Sequence, residues 1–268
     1  MVKPTYTFIT GASSGIGKAI AWYCGSRGMN LILVSLPDEG LNEVALAIAE
    51  KHKVKTVYFE TDLSKLDSPE EVFNWTQSNG LDVNILINNA GVAGASVFEK
   101  SDLKYIDDRI LLNIRSLVML SRLFLPVLKT HQNSYILNVG SLAGFFPIPF
   151  KCLYSASKVF VLYFSKALRC ELKGTGVSVS VLCPNGVRTN PTTNERINSH
   201  GKVGRLTLKS ADLVARKGVD GMLKHKFVII PGQINRFLLI LQKIIPDSIQ
   251  QKILVREFRK EIRATCNI

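Results

Sequence analysis

Strand-like runs that alternate with helical patterns constrain the fold of this chain more than any other feature. Seven runs read as strands: Tyr6–Ile9, Leu31–Val34, Val57–Glu60, Ile85–Ile87, Tyr135–Val139, Val177–Leu182 and Phe227–Ile230. Between them, apolar residues recur at helical spacing. This alternation predicts an α/β fold with a parallel, doubly wound sheet of about seven strands and helices on both faces. With 268 residues the chain can bury a sizeable core as one domain. No internal repeat, low-complexity tract or linker divides it. One domain over 1–268 is expected, with a core of about 5–231 and a helical C-terminal extension over 232–268. In an open parallel sheet, ligands bind beyond the carboxyl ends of the strands, so the site is sought there.

Thr10-Gly11-Ala12-Ser13-Ser14-Gly15-Ile16-Gly17 follows the first run and opens a helical pattern through Ala19, Ile20, Trp22 and Tyr23. Glycines let the backbone approach a pyrophosphate, and a helix N-terminus offers free N–H groups and a partial positive charge. A plain tight turn would use the same glycines. Further along, Ile85-Leu86-Ile87-Asn88-Asn89-Ala90-Gly91 reads as a buried strand with a polar, small-residue end. Asn113 lies inside an apolar helical pattern, where an amide requires buried partners. Tyr135 to Val139 is followed by Gly140 and Ser141. Tyr154-Ser155-Ala156-Ser157-Lys158 then sets a phenol and an ammonium one turn apart on one helical face. An ammonium beside a phenol favours the phenolate and lowers a Tyr pKa from its usual value of about 10, which makes the group usable near neutral pH. Alone, such a pair is more often a packed ring and a solvated charge.

Together, TGASSGIG, NNAG, the in-helix Asn113, the strand-end Ser141 and YSASK resemble the short-chain dehydrogenase/reductase family in its single-domain form. The resemblance runs from Thr5 to about Pro231 and implies a Rossmann-like fold. It also implies NAD(P)-dependent hydride transfer between nicotinamide and a ketone or secondary alcohol. On that resemblance Tyr154 would exchange a proton with the substrate oxygen. Lys158 would hold the Tyr154 pKa down and bond the nicotinamide ribose. Ser141 would hydrogen-bond the substrate oxygen, and Asn113 would anchor a water linking Lys158 to solvent. Gly11, Ser13, Ser14, Gly15, Ile16 and Gly17 match the pyrophosphate and ribose loop. Asp62, with Leu63 beside it, matches the acid that bonds the adenine amino group, and Asn89, Ala90 and Gly91 match the strand end along the adenine ribose. Thr189 matches the threonine that meets the nicotinamide carboxamide. One departure stands out: the family's Pro-Gly after the sixth strand is Pro184-Asn185 here. Asn tolerates positive φ better than most residues, so the turn is expected to survive with some strain. A finer resemblance is to members that reduce long-chain or steroid-like ketones.

The end of the second strand decides between NAD and NADP, because an acid there bonds the ribose diol and repels a 2′-phosphate. The chain has Leu33-Val34-Ser35-Leu36-Pro37, with no acid at Ser35 and no arginine at Leu36; Asp38, further on, fits either cofactor. With Ser13, Ser14 and Ser35 as neutral phosphate donors, the balance favours NADP.

The loop from Leu142 to Phe150 is aromatic and apolar, which favours an acyl, sterol-like or aromatic substrate if it borders the cleft. The same side chains would equally pack on the core or on a second subunit. Asn185–Gly204 is expected to form a polar lid. The five cysteines and four histidines show no ligand spacing, so no metal is expected, and the cysteines read as reduced in a cytoplasmic protein. No secretory signal precedes the first strand, and no uninterrupted apolar run approaches the roughly twenty residues of a bilayer span.

Charge is uneven: the net value is +13, and residues 201–268 hold fourteen Lys/Arg against five acids. After Gly232 an apolar stripe (Phe237, Leu241, Ile244, Ile249, Ile253, Phe258) interleaves with Lys243, Lys252, Arg256, Arg259, Lys260 and Arg263. Such a tail can lie on an anionic membrane surface, cap its own cleft or form a dimer contact. No nucleic-acid motif or aromatic-basic platform accompanies it. The long helices around Asn113 and after Tyr154 resemble those that pair subunits in the family, so a homodimer or homotetramer is expected. The competing reading is a dinucleotide-binding regulatory or scaffold protein that uses its basic tail for a partner or membrane. The complete set of Ser141, Tyr154, Lys158 and Asn113 argues for the enzyme.

Overall fold

The computed structural model describes residues 3–188, 208–242 and 244–266. Strands are numbered along the chain as β1 (Thr5–Thr10), β2 (Asn30–Ser35), β3 (Thr56–Glu60), β4 (Asp82–Asn88), β5 (Ser134–Val139), β6 (Val177–Leu182), β7 (Val187–Arg188), β8 (Lys209–Ser210) and β9 (Val228–Ile229). Seven of them form one parallel sheet in the order β3-β2-β1-β4-β5-β6-β9, and β7 pairs with β8 in a separate two-stranded ribbon. All seven expected strands are present in the sheet.

Helices α1 (Gly15–Ser26) and α2 (Leu41–His52) cover one face, joined by α7 (Ala211–Leu223). Ile20, Ile48 and Val219 from these helices meet Ile9, Leu31, Leu33, Ile87 and Leu137 of the sheet. Helices α3 (Ser68–Ser78), α5 (Ser116–Lys129) and α6 (Cys152–Glu171) cover the other face. There Val72, Phe124 and Leu168 pack on Phe8, Ile32, Val34, Leu86 and Ile136. Neighbouring strand residues thus point to opposite cores, which is why Leu31–Val34 and Ile85–Ile87 read as continuous apolar runs; β6, Val-Ser-Val-Ser-Val-Leu, alternates in sequence yet is buried throughout.

Strand order reverses between β1 and β4, the point where doubly wound sheets open a ligand crevice. The glycine loop leaves β1 and NNAG leaves β4, so both motifs reach this crevice. A buried polar chain crosses beneath it. Asn88 donates to Ser121 Oγ at 3.1 Å and to Asn138 Oδ1 at 2.9 Å, and Asn138 donates to Ser165 Oγ at 2.8 Å. It ties adjacent β4 and β5 to α5 and α6, and so fixes the helix that carries Tyr154.

Helix α4 (Leu103–Ile110) runs through a π-turn at Leu111–Arg115 into α5. Although charges such as Arg115 and Arg122 interrupt it, Leu103–Lys129 is 27 residues with a mean hydropathy of 1.6 over its most apolar window, enough by length and composition to cross a membrane. In the fold it is a layer of the core, since Leu117, Leu120, Phe124 and Leu128 are buried. The C-terminal extension comprises α8 (Gln233–Gln242) and α9 (Asp247–Cys266).

Candidate active site

Lys158 sits on the inner face of α6 and is only 7% exposed. Its ammonium donates to the Val139 carbonyl at the end of β5, at 2.9 Å, and stands 5.7 Å from the centroid of the Tyr154 ring. Burial pulls its pKa down to about 8, against a smaller upward pull from neighbouring Cys183. The Cys183 thiol is itself pushed up to about 12, again chiefly by burial. The expected one-turn juxtaposition of Tyr154 and Lys158 is therefore present, and the lysine is the buried member.

Asn113 is buried within the π-turn. A π-turn widens the backbone by one residue and is frequent at functional sites. The Asn113 side chain is satisfied by one residue: Oδ1 accepts from Val92 N at 2.8 Å and Nδ2 donates to Val92 O at 2.9 Å. These bonds hold the chain just after NNAG against the helix. A side chain at Gly91 would stand 3.0 Å from Asn113 Oδ1 and 3.7 Å from Lys158 Nζ. The structure thus brings Gly91, Asn113 and Lys158 to one place. Ser141 caps a short 3₁₀ turn, Leu142–Phe145, its Oγ accepting from Ala143 N at 3.1 Å. The turn is pinned to the end of β6 by Leu142 N donating to Pro184 O at 2.9 Å.

The apolar loop divides between the two roles left open for it. Leu142, Ala143 and Ile148 are buried, and Phe145 packs with Leu117, Val161, Val181 and Cys183. Phe150 instead lines a cleft beside Tyr154, with Phe98, Tyr105, Arg109, Lys151 and Leu153. Phe150 is also left-handed, at φ 64°, a conformation that costs a non-glycine residue roughly 1–2 kcal/mol. Tyr105 and Arg109 escaped the sequence reading, although their four-residue spacing puts them on one helix face. The Arg109 guanidinium lies 3.2 Å from the Tyr105 ring centroid, and its Nε is buried without a hydrogen bond. The C-terminal extension reaches the same rim, where the Lys151 ammonium stands 4.7 Å from the Phe258 ring centroid of α9.

The dinucleotide end is built from backbone. Gly11 and Gly15 are left-handed, at φ 64° and 56°. A Cβ at Gly17 would meet the Gly11 carbonyl oxygen at 1.9 Å, so the loop exists only without one. Helix α1 begins with no side-chain cap from Ser14 and no acid in its first turn, which leaves its N–H groups and positive end open to an anion. These features fit a dinucleotide pyrophosphate. Asn89 supports the loop from behind: its amide donates to Thr10 O at 2.9 Å and Gly11 O at 3.0 Å, while Ala90 N donates to Thr10 Oγ1 at 2.9 Å. Its side chain therefore braces the loop, while Ala90 and Gly91 continue along the crevice. Leu63 is buried, and Asp62 caps its own turn by accepting from Ser64 N at 2.9 Å and Ser64 Oγ at 2.7 Å. Ile16 is partly buried against the core.

At the end of β2 the structure adds to the sequence reading, which found no acid at Ser35 itself. An acid does stand there, and it is Glu39. Ser13 Oγ donates to Glu39 Oε2 at 2.5 Å, and Ser35 Oγ donates to the same oxygen at 3.1 Å. The two hydroxyls assigned to a 2′-phosphate are already facing a carboxylate. Asn185 corrects the expectation of a strained turn. Among the described residues the left-handed non-glycines are Asp38, Lys53, Phe150 and His225, so Asn185 replaces the family's glycine without strain in φ. Thr189 and most of the expected lid lie outside the described residues.

Residues 5–199 match the family model described as short chain dehydrogenase. Very-long-chain 3-oxoacyl-CoA reductase of Anas platyrhynchos is 37% identical over 190 residues, 69% of this chain and 60% of that protein. 17-beta-hydroxysteroid dehydrogenase type 3 of Danio rerio is 33% identical over 198 residues, 71% of this chain and 63% of that protein. The matched region thus spans about three-fifths of these relatives. A short-chain dehydrogenase from Sphingobium yanoikuyae, solved in complex with NADPH, superposes with a TM-score of 0.77 at 29% identity, covering 86% of this chain and 88% of that one. With the parallel sheet, the glycine loop and the Tyr154–Lys158 helix all in place, the chain belongs to the short chain dehydrogenase family.

Proposed function

We propose that this chain is a nicotinamide-dinucleotide-dependent oxidoreductase acting on a ketone or secondary alcohol of an apolar substrate. One observation carries the reading: a nearly fully buried ammonium, Lys158, fixed by a backbone carbonyl at 2.9 Å and held one helical turn from a cleft-lining phenol, Tyr154. Burying a charge is costly, and a lysine with only a structural role has no need of it. When bound, the nicotinamide supplies or accepts the hydride. Tyr154 gives its proton to the substrate oxygen during reduction and takes it back during oxidation. Lys158 stabilises the charge left on the Tyr154 oxygen, and Ser141 supplies a hydroxyl to the substrate oxygen. The Asn113 side chain, spent on Val92, holds the chain after NNAG beside Lys158.

Phe98, Tyr105, Phe150 and Leu153 line the small cleft beside Tyr154 together with the cations Arg109 and Lys151. An acyl thioester combines an apolar chain with an anionic carrier and so matches both characters. The names of the relatives, 3-oxoacyl-CoA reductase and hydroxysteroid dehydrogenase, point the same way. The deciding experiment follows reduced-cofactor consumption with 3-oxoacyl thioesters and steroid ketones in wild type and Tyr154→Phe. Wild-type turnover that Tyr154→Phe abolishes, with cofactor binding kept, is the expected outcome. If a reduced cofactor binds but no carbonyl substrate is turned over, the regulatory or scaffold reading takes its place.

Two surfaces suggest how the enzyme is housed. Helix α6 exposes Phe160 and Tyr163, with Phe164 stacked on Phe160 at 5.8 Å, and this face suits a second subunit. Helix α8 exposes Ile234, Phe237, Ile240 and Leu241, continued by Ile244, Ile249 and Ile253. Arg236, Lys252 and Arg256 accompany that stripe, which suits peripheral contact with an anionic membrane from the cytoplasmic side. Co-sedimentation with phosphatidylserine vesicles but not with phosphatidylcholine vesicles is the expected result.

A further inference from the structure

We infer that Glu39 reads the adenosine ribose and directs this chain to NAD(H) over NADP(H), which reverses the preference expected from sequence. The inference rests on the dinucleotide reading above and adds a specificity residue to it. In doubly wound folds the end of β2 borders the adenosine ribose, and an acid there accepts from the ribose hydroxyls. Here β2 ends in Ser35, and the acid comes from four residues further on.

The glycine loop is held to that strand end by Ala12 N donating to Val34 O at 3.1 Å. Ser13 and Ser35, each 6% exposed, face one another there with their oxygens 2.6 Å apart. Both lie within hydrogen-bond reach of Glu39 Oε2, at 2.5 and 3.1 Å. Two hydroxyl hydrogens serve three contacts, and a carboxylate can only accept. However the hydrogens divide, at least one serine donates to Glu39. The turn that delivers Glu39 is specific: Asp38 on one side is left-handed at φ 61°, and Gly40 on the other at φ 67°. Asp and Gly are among the few residues that adopt this conformation readily.

The chemistry then separates the two cofactors. A ribose diol can donate to the carboxylate, joining an existing cluster of acceptor and hydroxyls. A 2′-phosphate has no hydrogen to donate at neutral pH and sets its negative charge against that of Glu39. It also loses the two serines, which are already turned to the carboxylate. Nothing nearby in sequence compensates, since residues 35–40 contain no Lys or Arg, and Glu60 follows as the register neighbour of Ser35.

The test is equilibrium titration of the full chain with NADH and with NADPH, read by nicotinamide fluorescence and by thermal stabilisation. Wild type is expected to bind NADH at least tenfold more tightly. Glu39→Gln keeps the size and removes the charge, and should shrink that preference at least tenfold, mainly by gaining NADPH affinity. Leu36→Arg added to Glu39→Gln should carry the preference over to NADPH. Wild type binding NADPH as well as or better than NADH overturns the inference and leaves the dinucleotide reading standing, as does an unchanged preference in Glu39→Gln. Binding of neither cofactor removes both.

Discussion

The glycine loop and the wall formed by Ser141, Tyr154 and Lys158 meet at the same edge of the sheet but are held there in opposite ways. The loop is shaped by omission. Its path depends on the Cβ that Gly17 lacks beside the Gly11 carbonyl, and on Asn89 bracing it from behind. The wall is shaped by what is buried. Lys158 is taken out of water onto the Val139 carbonyl, and Asn113 is spent on Val92. A site for a bound anion needs open donors and close backbone, whereas a site for proton transfer needs a charge with nowhere else to go. Substitutions should therefore injure the two halves in different currencies: binding and packing at the loop, turnover and pH response at the wall.

Tyr154→Phe should show the largest effect. Loss of general acid–base chemistry is worth roughly 10²- to 10⁴-fold in turnover, while the cofactor dissociation constant and melting temperature stay near wild type. Full turnover in the variant would remove Tyr154 from the proton path.

Lys158 offers the next largest effect, in stability instead of rate. Its pKa falls from 10.5 in the unfolded chain to about 8 in the folded one. Between those values the unfolded state binds more protons, so stability must rise with pH across that window. Below pH 8 the folded protein carries a constant penalty on the order of 3 kcal/mol, at about 1.4 kcal/mol per pK unit. Lys158→Met should lack this rise. Denaturant unfolding of both proteins across that window, free of cofactor, measures the difference, and parallel pH profiles would refute the buried-charge account.

Gly17→Ala attacks the loop. A methyl group 1.9 Å from a backbone oxygen cannot be absorbed by a rotamer change. About 1–3 kcal/mol of stability should be lost to overpacking, with dinucleotide affinity falling at least tenfold. If the comparison holds, any turnover left at saturating cofactor should keep the wild-type pH profile, because Lys158 is untouched.

This contrast also explains what could be read from the chain and what could not. Strands sealed on both faces announce themselves as uninterrupted apolar runs, as in Leu31–Val34 and Ile85–Ile87. Glycine spacing and the Tyr154–Lys158 step are local patterns, so they were legible too. Glu39 was not, because its meeting with Ser13 joins residues 26 positions apart through a left-handed turn at Asp38. No spacing rule reports that. Phe145 and Phe150 have the same chemistry in sequence, yet one enters the core and the other the cleft. Their separation depends on the 3₁₀ turn after Ser141 and the left-handed Phe150.

Asn185 gives the smallest expected effect and the finest test of where the site ends. The sequence marked it as strained, in place of the family's glycine. Its backbone is not left-handed, and its side chain donates to Asn235 Oδ1 at 3.3 Å. Asn235 is fully buried and donates to Pro231 O at 2.8 Å, so this pair fastens the loop after β6 to the start of α8. Asn185→Gly removes one long hydrogen bond and adds freedom to the unfolded chain, which together should cost about 1 kcal/mol. Cofactor affinity should change less than about threefold, because the bond lost runs to Asn235 and the backbone at 185 is not left-handed. A tenfold change on titration with NADH would mean that the α8 junction shapes the nicotinamide end. The C-terminal extension would then belong to the site as well as to the surface.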